Sequence, residues 1–122
     1  MPTTSKDTAT RVADYGEAID RTEEMDGYTC SFTTITQDSD LAPILAKLPS
    51  GNCQCPHWGY VTAGRITVTY GDKVEVIEAG DAFYMSPGHA PAAVQGTEFV
   101  MFSPSEELAV TEQAIAAAMQ RT

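Results

Sequence analysis

The sequence predicts a single all-β domain, built either as a sandwich or as a closed barrel. From residue 28 to residue 102 it contains several short runs rich in β-branched and aromatic residues, and glycine, proline and aspartate separate these runs. Many short strands joined by such turns are typical of these two architectures. The length of 122 residues suits one domain and is too short for two independent cores.

The first 24 residues differ from the rest because they are polar and show no sustained hydrophobic period. They predict an N-terminal arm that is flexible or lies at an edge of the domain. We therefore divide the chain into an arm (residues 1–24), a β domain (25–103) and a C-terminal helix (104–122).

Strands are predicted where β-formers alternate. Residues 28–36 place Tyr28, Cys30 and Phe32 on one face, with Cys30 as a packed thiol. Gly71-Asp72 predicts a tight hairpin turn, because glycine readily adopts the positive φ that such a turn needs. The further predicted strands are Tyr60–Ala63, Arg65–Tyr70, Val74–Ile77, Ala82–Met85 and Glu98–Phe102.

Two helices are predicted from capping residues and helical spacing. Asp40 is the expected N-cap of a short helix with the apolar face Leu41, Ile44, Leu45 and Leu48, ended by residues 49–51. Residues 103–106 read as a capping box with Pro104 at the first helical position. The helix that follows presents the stripe Leu108, Thr111, Ile115 and Ala118, by which we expect it to pack on the domain.

Charge and composition narrow the function classes. The formal net charge of -10 disfavours binding to nucleic acid or to an anionic membrane surface. No apolar run approaches the length of a membrane span, and the N-terminus lacks the build of a secretory signal, so we expect a cytoplasmic protein. Three cysteines, two of them only two residues apart, indicate reduced thiols or metal ligands rather than a disulfide framework.

Two segments resemble the two motifs of the cupin family. Residues 60–65, Tyr-Val-Thr-Ala-Gly-Arg, resemble the end of the first motif, and residues 80–88, Gly-Asp-Ala-Phe-Tyr-Met-Ser-Pro-Gly, resemble the second. The region around Cys-Pro-His-Trp-Gly-Tyr-Val and Pro-Gly-His is also similar to small bacterial cupin-domain proteins of undefined function. The resemblance implies a double-stranded β-helix, or jelly-roll barrel, with a small-molecule site at its mouth.

The family's metal ligands do not all have counterparts here. Counting from Gly64, the family's glutamate falls on His57, its second histidine on Cys53 and its first on Gly51. The last histidine falls on Pro91, and His89 precedes that position by two residues. The resemblance therefore implies a metal site with a changed set of ligands.

The candidate metal ligands are Cys53, Cys55, His57 and His89. Alternate residues of a strand share a face, so the first three are expected to point into the barrel, where His89 arrives from the second motif. Two thiolates and two imidazoles form a common tetrahedral zinc site, and we favour zinc over iron or manganese because no carboxylate lies nearby. The alternative is a packed-core role, since free cysteine is among the most buried residues.

Two functions remain open from the sequence. The first is a metal-dependent enzyme acting on a small organic molecule, such as an isomerase, a lyase or a dioxygenase, which requires an open coordination position. The second is a non-catalytic cupin that binds or senses a small ligand, with a structural metal or none. The polar arm and the outward-facing Trp58 and Tyr60 also predict a homodimer.

Overall fold

A computed structural model describes residues 3–46 and 53–119, and within these ranges the chain forms ten strands and two helices. The helices are α1 (Ala42–Leu45) and α2 (Ser105–Met119). The strands are β1 (Arg11–Asp14), β2 (Ala18–Met25), β3 (Tyr28–Ile35), β4 (Ser39–Asp40), β5 (His57–Ala63), β6 (Arg65–Tyr70), β7 (Lys73–Glu78), β8 (Ala82–Met85), β9 (Ala90–Ala93) and β10 (Glu98–Pro104).

The strands form two antiparallel sheets. The larger sheet has the order β1-β2-β3-β10-β5-β8, and the smaller has the order β4-β9-β6-β7. Neighbours in these orders are mostly distant in sequence, as in the double-sheet jelly roll. The all-β prediction with a C-terminal helix is confirmed.

The strands predicted from the hydrophobic runs are all present. The bounds of β6 and β8 agree with the prediction, and β6 and β7 form the expected hairpin with Gly71 at a φ of 57°. Cys30 is a buried thiol, as predicted, although Tyr28 on the same face is exposed. The opposite face of β3, which carries Thr29 and Ser31, is the buried one over its whole length.

The N-terminal segment contains two strands that the sequence did not predict. Residues 11–14 and 18–25 form β1 and β2, so the expectation of a flexible arm is wrong for these residues. The alternative expectation, an edge position, holds for β1, which is the edge strand of the larger sheet. β2 was missed because its interior face carries Asp20 and Thr22, and polar residues on that face remove the apolar alternation by which a strand is recognised.

Helix α1 is short, and its start agrees with the prediction. Asp40 Oδ1 accepts a hydrogen bond from the Ala42 backbone N–H at 2.9 Å, and Leu45 is fully buried. The side chain of Ile44, together with Leu48 and the predicted helix end at 49–51, lies outside the described residues.

Helix α2 begins two residues later than the predicted cap. Ser103 lies in β10, and its hydroxyl bonds to a histidine inside the barrel, so its predicted capping role is wrong. Leu108 and Thr111 of the predicted stripe are buried, and the side chains of Ile115 and Ala118 lie outside the described set. Across residues 3–46 and 53–119, no helix combines the length and hydropathy needed to cross a membrane.

The corner between β5 and β6 requires glycine. Gly64 has a φ of 80°, which side-chain-bearing residues rarely adopt, and a Cβ there would overlap Thr97. Thr97 is fully buried, and its hydroxyl accepts from the Arg65 N–H and donates to the Arg65 carbonyl, each at 3.1 Å. This contact fixes the first motif against the segment that precedes β10.

Apolar side chains form two buried clusters in the barrel. The main cluster contains Val61, Ile66, Val68, Ile77 and Met85, all from β5 to β8. A second cluster joins Leu45 of α1 and Leu108 of α2 to Cys53 and Cys55. The two helices therefore cover the end of the barrel at which the cysteines lie.

The covering role of α2 leads to a stability prediction. We expect Leu108→Ala to cost about 2–5 kcal/mol of unfolding free energy and to lower Tm by several degrees, because it removes a buried side chain. Val110→Ala is the matched control, since Val110 lies on the same helix and is 59% exposed. Equal melting temperatures for the two variants would show that α2 is not packed on the domain.

Candidate metal centre

A short backbone pairing brings the two motif regions together. Cys53 and His89 form an isolated antiparallel bridge, in which the Cys53 N–H donates to the His89 carbonyl at 3.0 Å. The Gly88 N–H donates to the Cys53 carbonyl at 2.8 Å. The bridge fixes the Cys53 and His89 backbones side by side, although the residues are far apart in sequence.

His57 completes a group of three buried side chains. It is the first residue of β5, and its ring centroid lies 4.8 Å from that of His89. The potential ligand atoms of Cys53, His57 and His89 all lie within 4.8 Å of one another. The distance from Cys53 Sγ to His57 Nε2 is 3.8 Å.

His89 has a free lone pair inside the protein. Its Nδ1 lies 2.7 Å from the Ser86 carbonyl oxygen, which only accepts, so Nδ1 carries the hydrogen and donates it. In the neutral ring Nε2 then bears an unprotonated lone pair. This Nε2 is buried and has no hydrogen-bond partner among the described residues. An unpaired buried acceptor is costly unless something else binds it.

His57 is oriented by a serine of β10. Its Nδ1 hydrogen-bonds with the Ser103 hydroxyl at 2.6 Å, and Ser103 is fully buried. A proton on Nδ1 leaves the Nε2 lone pair directed at Cys53. Metal-binding histidines commonly use their second nitrogen in this way, because that bond fixes both the tautomer and the ring orientation.

Burial keeps both histidines neutral. Desolvation, followed by the proximity of His89, lowers the pKa of His57 from 6.5 to about 3. Desolvation also lowers the pKa of His89, although the bond to Ser86 opposes this shift. Near neutral pH both rings are therefore uncharged and have lone pairs available for a metal ion.

Cys53 also contacts the C-terminal helix. Its Sγ lies 3.2 Å from the Thr111 hydroxyl, and both residues are buried. Either group can donate in this contact. Helix α2 thus supplies a polar contact to the site as well as the apolar cover of Leu108.

Cys55 is not part of the group. Its Sγ lies 3.5 Å from the Pro56 carbonyl oxygen and 4.0 Å from that of Pro104, and burial raises the pKa of this thiol to about 12. The expectation that Cys53, Cys55 and His57 share a face assumed a regular strand. Residues 54–56 belong to no strand, because β5 begins only at His57, so the alternation does not hold.

The three side chains suit a divalent metal ion. One sulfur and two imidazole nitrogens are ligands that zinc accepts, and sulfur and nitrogen ligands of tetrahedral zinc lie about 3.5 Å apart, given bonds of about 2.3 and 2.1 Å. The observed 3.8 Å between Cys53 Sγ and His57 Nε2 is close to that distance. The group could therefore bind a metal after small side-chain movements.

The group faces a cavity of about 140 Å³ inside the barrel. Its polar lining includes Asp20 of β2, Ser31 and Thr33 of β3, and Glu112 of α2. Its remaining walls are largely apolar, with side chains that include Ile35, Leu41, Leu45, Ile66, Met85, Phe99 and Leu108.

Several residues of this region were missed or differ from the family pattern. Ser103 and Thr111 were interpreted as helix residues, and Asp20 lay in the expected arm, so no sequence signal connected them with the site. Pro91, at the position of the family's last histidine, lies in β9 and lines the cavity. Gly51, at the position of the first histidine, lies outside the described residues.

Trp58 and Tyr60 face away from the site, as predicted. Each is 44% exposed on the outer side of the larger sheet. The Trp58 ring packs against Tyr84, its cross-strand partner in β8, with centroids 5.0 Å apart. These aromatic residues therefore belong to an outer surface and not to the Cys53, His57 and His89 group.

Comparison with solved structures finds the same fold in several proteins. A protein of unknown function from Rhizobium leguminosarum matches with a TM-score of 0.60 and 14% identity, over 84% of this chain and 95% of that one. An RmlC-like cupin from Shewanella frigidimarina matches with a TM-score of 0.56 and 16% identity, over 83% of this chain and 88% of that one. KdgF from Halomonas sp. matches with a TM-score of 0.54 and 16% identity, over 77% of this chain and 86% of that one. No family model and no curated protein sequence matches this chain.

The neutral state of His57 leads to a pH dependence. Between pH 6.5 and about 3 the unfolded chain binds a proton at His57 that the folded protein does not. In metal-free protein we therefore expect unfolding free energy to fall as pH is lowered through this range, by up to about 1.4 kcal/mol per pH unit from this residue. Urea unfolding at a series of pH values, in the presence of chelator, measures this change in unfolding free energy.

The control for this experiment is His57→Gln, which has no titrating ring and keeps a group able to bond Ser103. Its unfolding free energy should fall less steeply over the same range. The same pH dependence in wild type and His57→Gln would show that His57 is protonated in the folded protein.

Proposed function

Because the chain has the fold of the cupin jelly rolls, we propose that it binds a divalent metal ion through Cys53, His57 and His89 and presents that ion to a small organic molecule in the barrel cavity. The observation that carries this proposal is the buried, unpartnered Nε2 of His89. It lies in a group whose other two members are also metal-ligating residues within 4.8 Å.

We propose zinc in preference to iron or manganese. A thiolate and two imidazoles are the soft and borderline ligands that zinc favours, whereas manganese prefers oxygen ligands. Non-haem iron sites of the oxygenase type use two histidines and a carboxylate, and the group found among the described residues contains no carboxylate.

Three protein ligands favour an open site over a closed structural one. Structural zinc sites have four protein ligands, whereas catalytic sites have three and leave one position for water or substrate. Cys55, the fourth ligand expected from the sequence, is directed at carbonyl oxygens instead. When bound, such an ion acts as a Lewis acid towards an oxygen of the ligand or lowers the pKa of a bound water.

The chain's own residues would hold the site and exclude water from it. Ser103 and the Ser86 carbonyl orient the two rings, Thr111 contacts the sulfur, and Leu108 closes the barrel end. A cysteine ligand must remain reduced, and all three cysteines are free and buried, so we place the protein in the cytoplasm.

The metal proposal is tested by elemental analysis of protein expressed with zinc, iron and manganese available. We expect about one zinc ion per wild-type chain, and loss of most of it in Cys53→Ala, His57→Ala and His89→Ala. Zinc content should also fall at low pH and with chelator, because a thiolate ligand must be deprotonated.

Two further variants serve as controls for the loss of a buried thiol. Cys55→Ala and Cys30→Ala remove buried thiols outside the group, so both should keep their zinc. Substoichiometric metal in the wild type, or equal metal in wild type and His57→Ala, would contradict the metal proposal. Cys53, His57 and His89 would then be packed core residues. Loss of zinc in Cys55→Ala would favour the closed four-ligand site and the non-catalytic alternative.

We also propose that the protein is a homodimer formed through the outer face of the larger sheet. Exposed aromatic residues on adjacent strands make this face apolar, namely Trp58, Tyr60, Tyr84 and Phe102, each 42–50% exposed. Monomeric proteins rarely expose large contiguous apolar patches, and a two-fold dimer buries the same patch of both copies.

Light scattering at micromolar concentration tests the dimer. We expect twice the chain mass of 13.1 kDa for the wild type and a monomer for Trp58→Lys. Val74→Lys is the control, because Val74 is 61% exposed on the other sheet, and it should remain dimeric. A monomeric wild type would contradict the proposal.

A further inference from the structure

The cavity contains a second polar position, formed by Asp20 of β2. We propose that Asp20 anchors a protonated amine, and that the small molecule which enters the barrel carries this amine on an apolar body. The inference deepens the proposed function, since it names a ligand class for the same cavity, but it depends on residues other than the metal ligands.

Asp20 is held in place by a hydrogen bond to one of its two carboxyl oxygens. It lies opposite Thr33 in the pairing of β2 with β3, and the Thr33 hydroxyl donates to Asp20 Oδ1 at 2.5 Å. Oδ2 has no hydrogen-bond partner among the described residues, and both side chains line the cavity. Asp20 is thus half-buried in the cavity wall, with one acceptor oxygen that no described residue engages.

The groups around Asp20 favour a cation. Tyr15 follows β1 and Glu112 comes from α2; both line the cavity, and the charge of Glu112 acts on Asp20. Arg11 of β1 is the positive group that acts on Tyr15 and Glu112. No lysine or arginine is among the described residues that line the cavity. Beside Asp20 a carboxylate group would therefore meet like charges, and an ammonium group would meet opposite ones.

Burial of Asp20 couples ligand binding to a proton. Desolvation is the largest cause that raises its pKa, and Glu112 raises it further, while the bond from Thr33 opposes the shift. Glu112 and Tyr15 also have raised pKa values because of burial. An ammonium group beside Asp20 stabilises its charged form, so binding releases the proton wherever Asp20 was protonated.

The rest of the cavity limits the body of the ligand. Its volume of about 140 Å³ is similar to that of an engineered protein cavity of about 150 Å³ that holds benzene. Ile35, Ile66 and Phe99 are among the apolar residues that line the barrel cavity. His89, whose buried Nε2 has no hydrogen-bond partner among the described residues, lines the same cavity. These features fit an amine with a body the size of one ring.

The test uses three probes of similar shape, namely benzylamine, benzyl alcohol and benzoate, titrated by calorimetry into the chain of 122 residues. We expect benzylamine to bind at least about tenfold more tightly than benzyl alcohol, the size of effect expected for a hydrogen bond to a charged group. In chelator-treated protein, where no metal ion is present to bind a carboxylate, we expect benzoate to bind most weakly. The affinity for benzylamine should rise with pH as Asp20 ionises, until the amine loses its own proton. Titrations in two buffers of different ionisation enthalpy measure the proton released.

The variants separate the amine site from the metal site. Asp20→Asn should lose the preference for benzylamine over benzyl alcohol and keep its zinc, and Glu112→Gln should weaken the preference less. Asp72→Asn, in the exposed β6–β7 turn, makes the same change of charge and should behave as wild type. Wild-type protein treated with chelator, and His57→Ala, should still prefer benzylamine.

Equal binding of benzylamine and benzyl alcohol to wild type, or an unchanged preference in Asp20→Asn, would overturn the inference. Neither result affects the metal proposal, because zinc content is measured on the same samples. Conversely, a preference for benzylamine in protein that contains no zinc would support the amine site while the metal proposal failed.

Discussion

Two histidine rings lie 4.8 Å apart in a part of the barrel from which water is largely excluded. Their desolvation keeps both uncharged near neutral pH, so each can offer a lone pair to a cation. The surroundings hold these lone pairs in position, since the Ser86 carbonyl fixes the His89 tautomer and Ser103 orients His57. The site is thus preorganised by β5, β10 and the backbone bridge of Cys53 with His89.

The fold was largely predictable, because most strands carry patterns that depend on local sequence. Runs of β-formers between glycine and proline gave β3, β5, β6, β7, β8 and β10, and the resemblance gave the jelly roll. β2 and β9 were missed for a physical reason: β2 faces the cavity with polar residues, and the sequence of β9 is Ala-Pro-Ala-Ala. A strand with polar residues on its cavity face, or one made of alanine and proline, lacks the apolar alternation on which such predictions depend.

The site was only partly predictable, because it depends on contacts between distant segments. Three of the four expected ligands converge, whereas Cys55 points elsewhere since the chain before β5 is not a regular strand. The local sequence pattern assigns Ser103 and Thr111 to α2 alone, yet each contacts a residue of the group. Asp20 gave no signal at all, because its role depends on the pairing of β2 with β3 and on the cover of α2.

The central claim is that one thiolate and two imidazoles hold a metal ion and leave a coordination position open. X-ray absorption at the zinc edge of the purified protein tests it most directly. We expect one sulfur neighbour at about 2.3 Å and three nitrogen or oxygen neighbours at about 2.0–2.1 Å, with one of the three contributed by water or ligand. Two sulfur neighbours would place Cys55 in a closed site, and a spectrum with no sulfur neighbour would contradict the account.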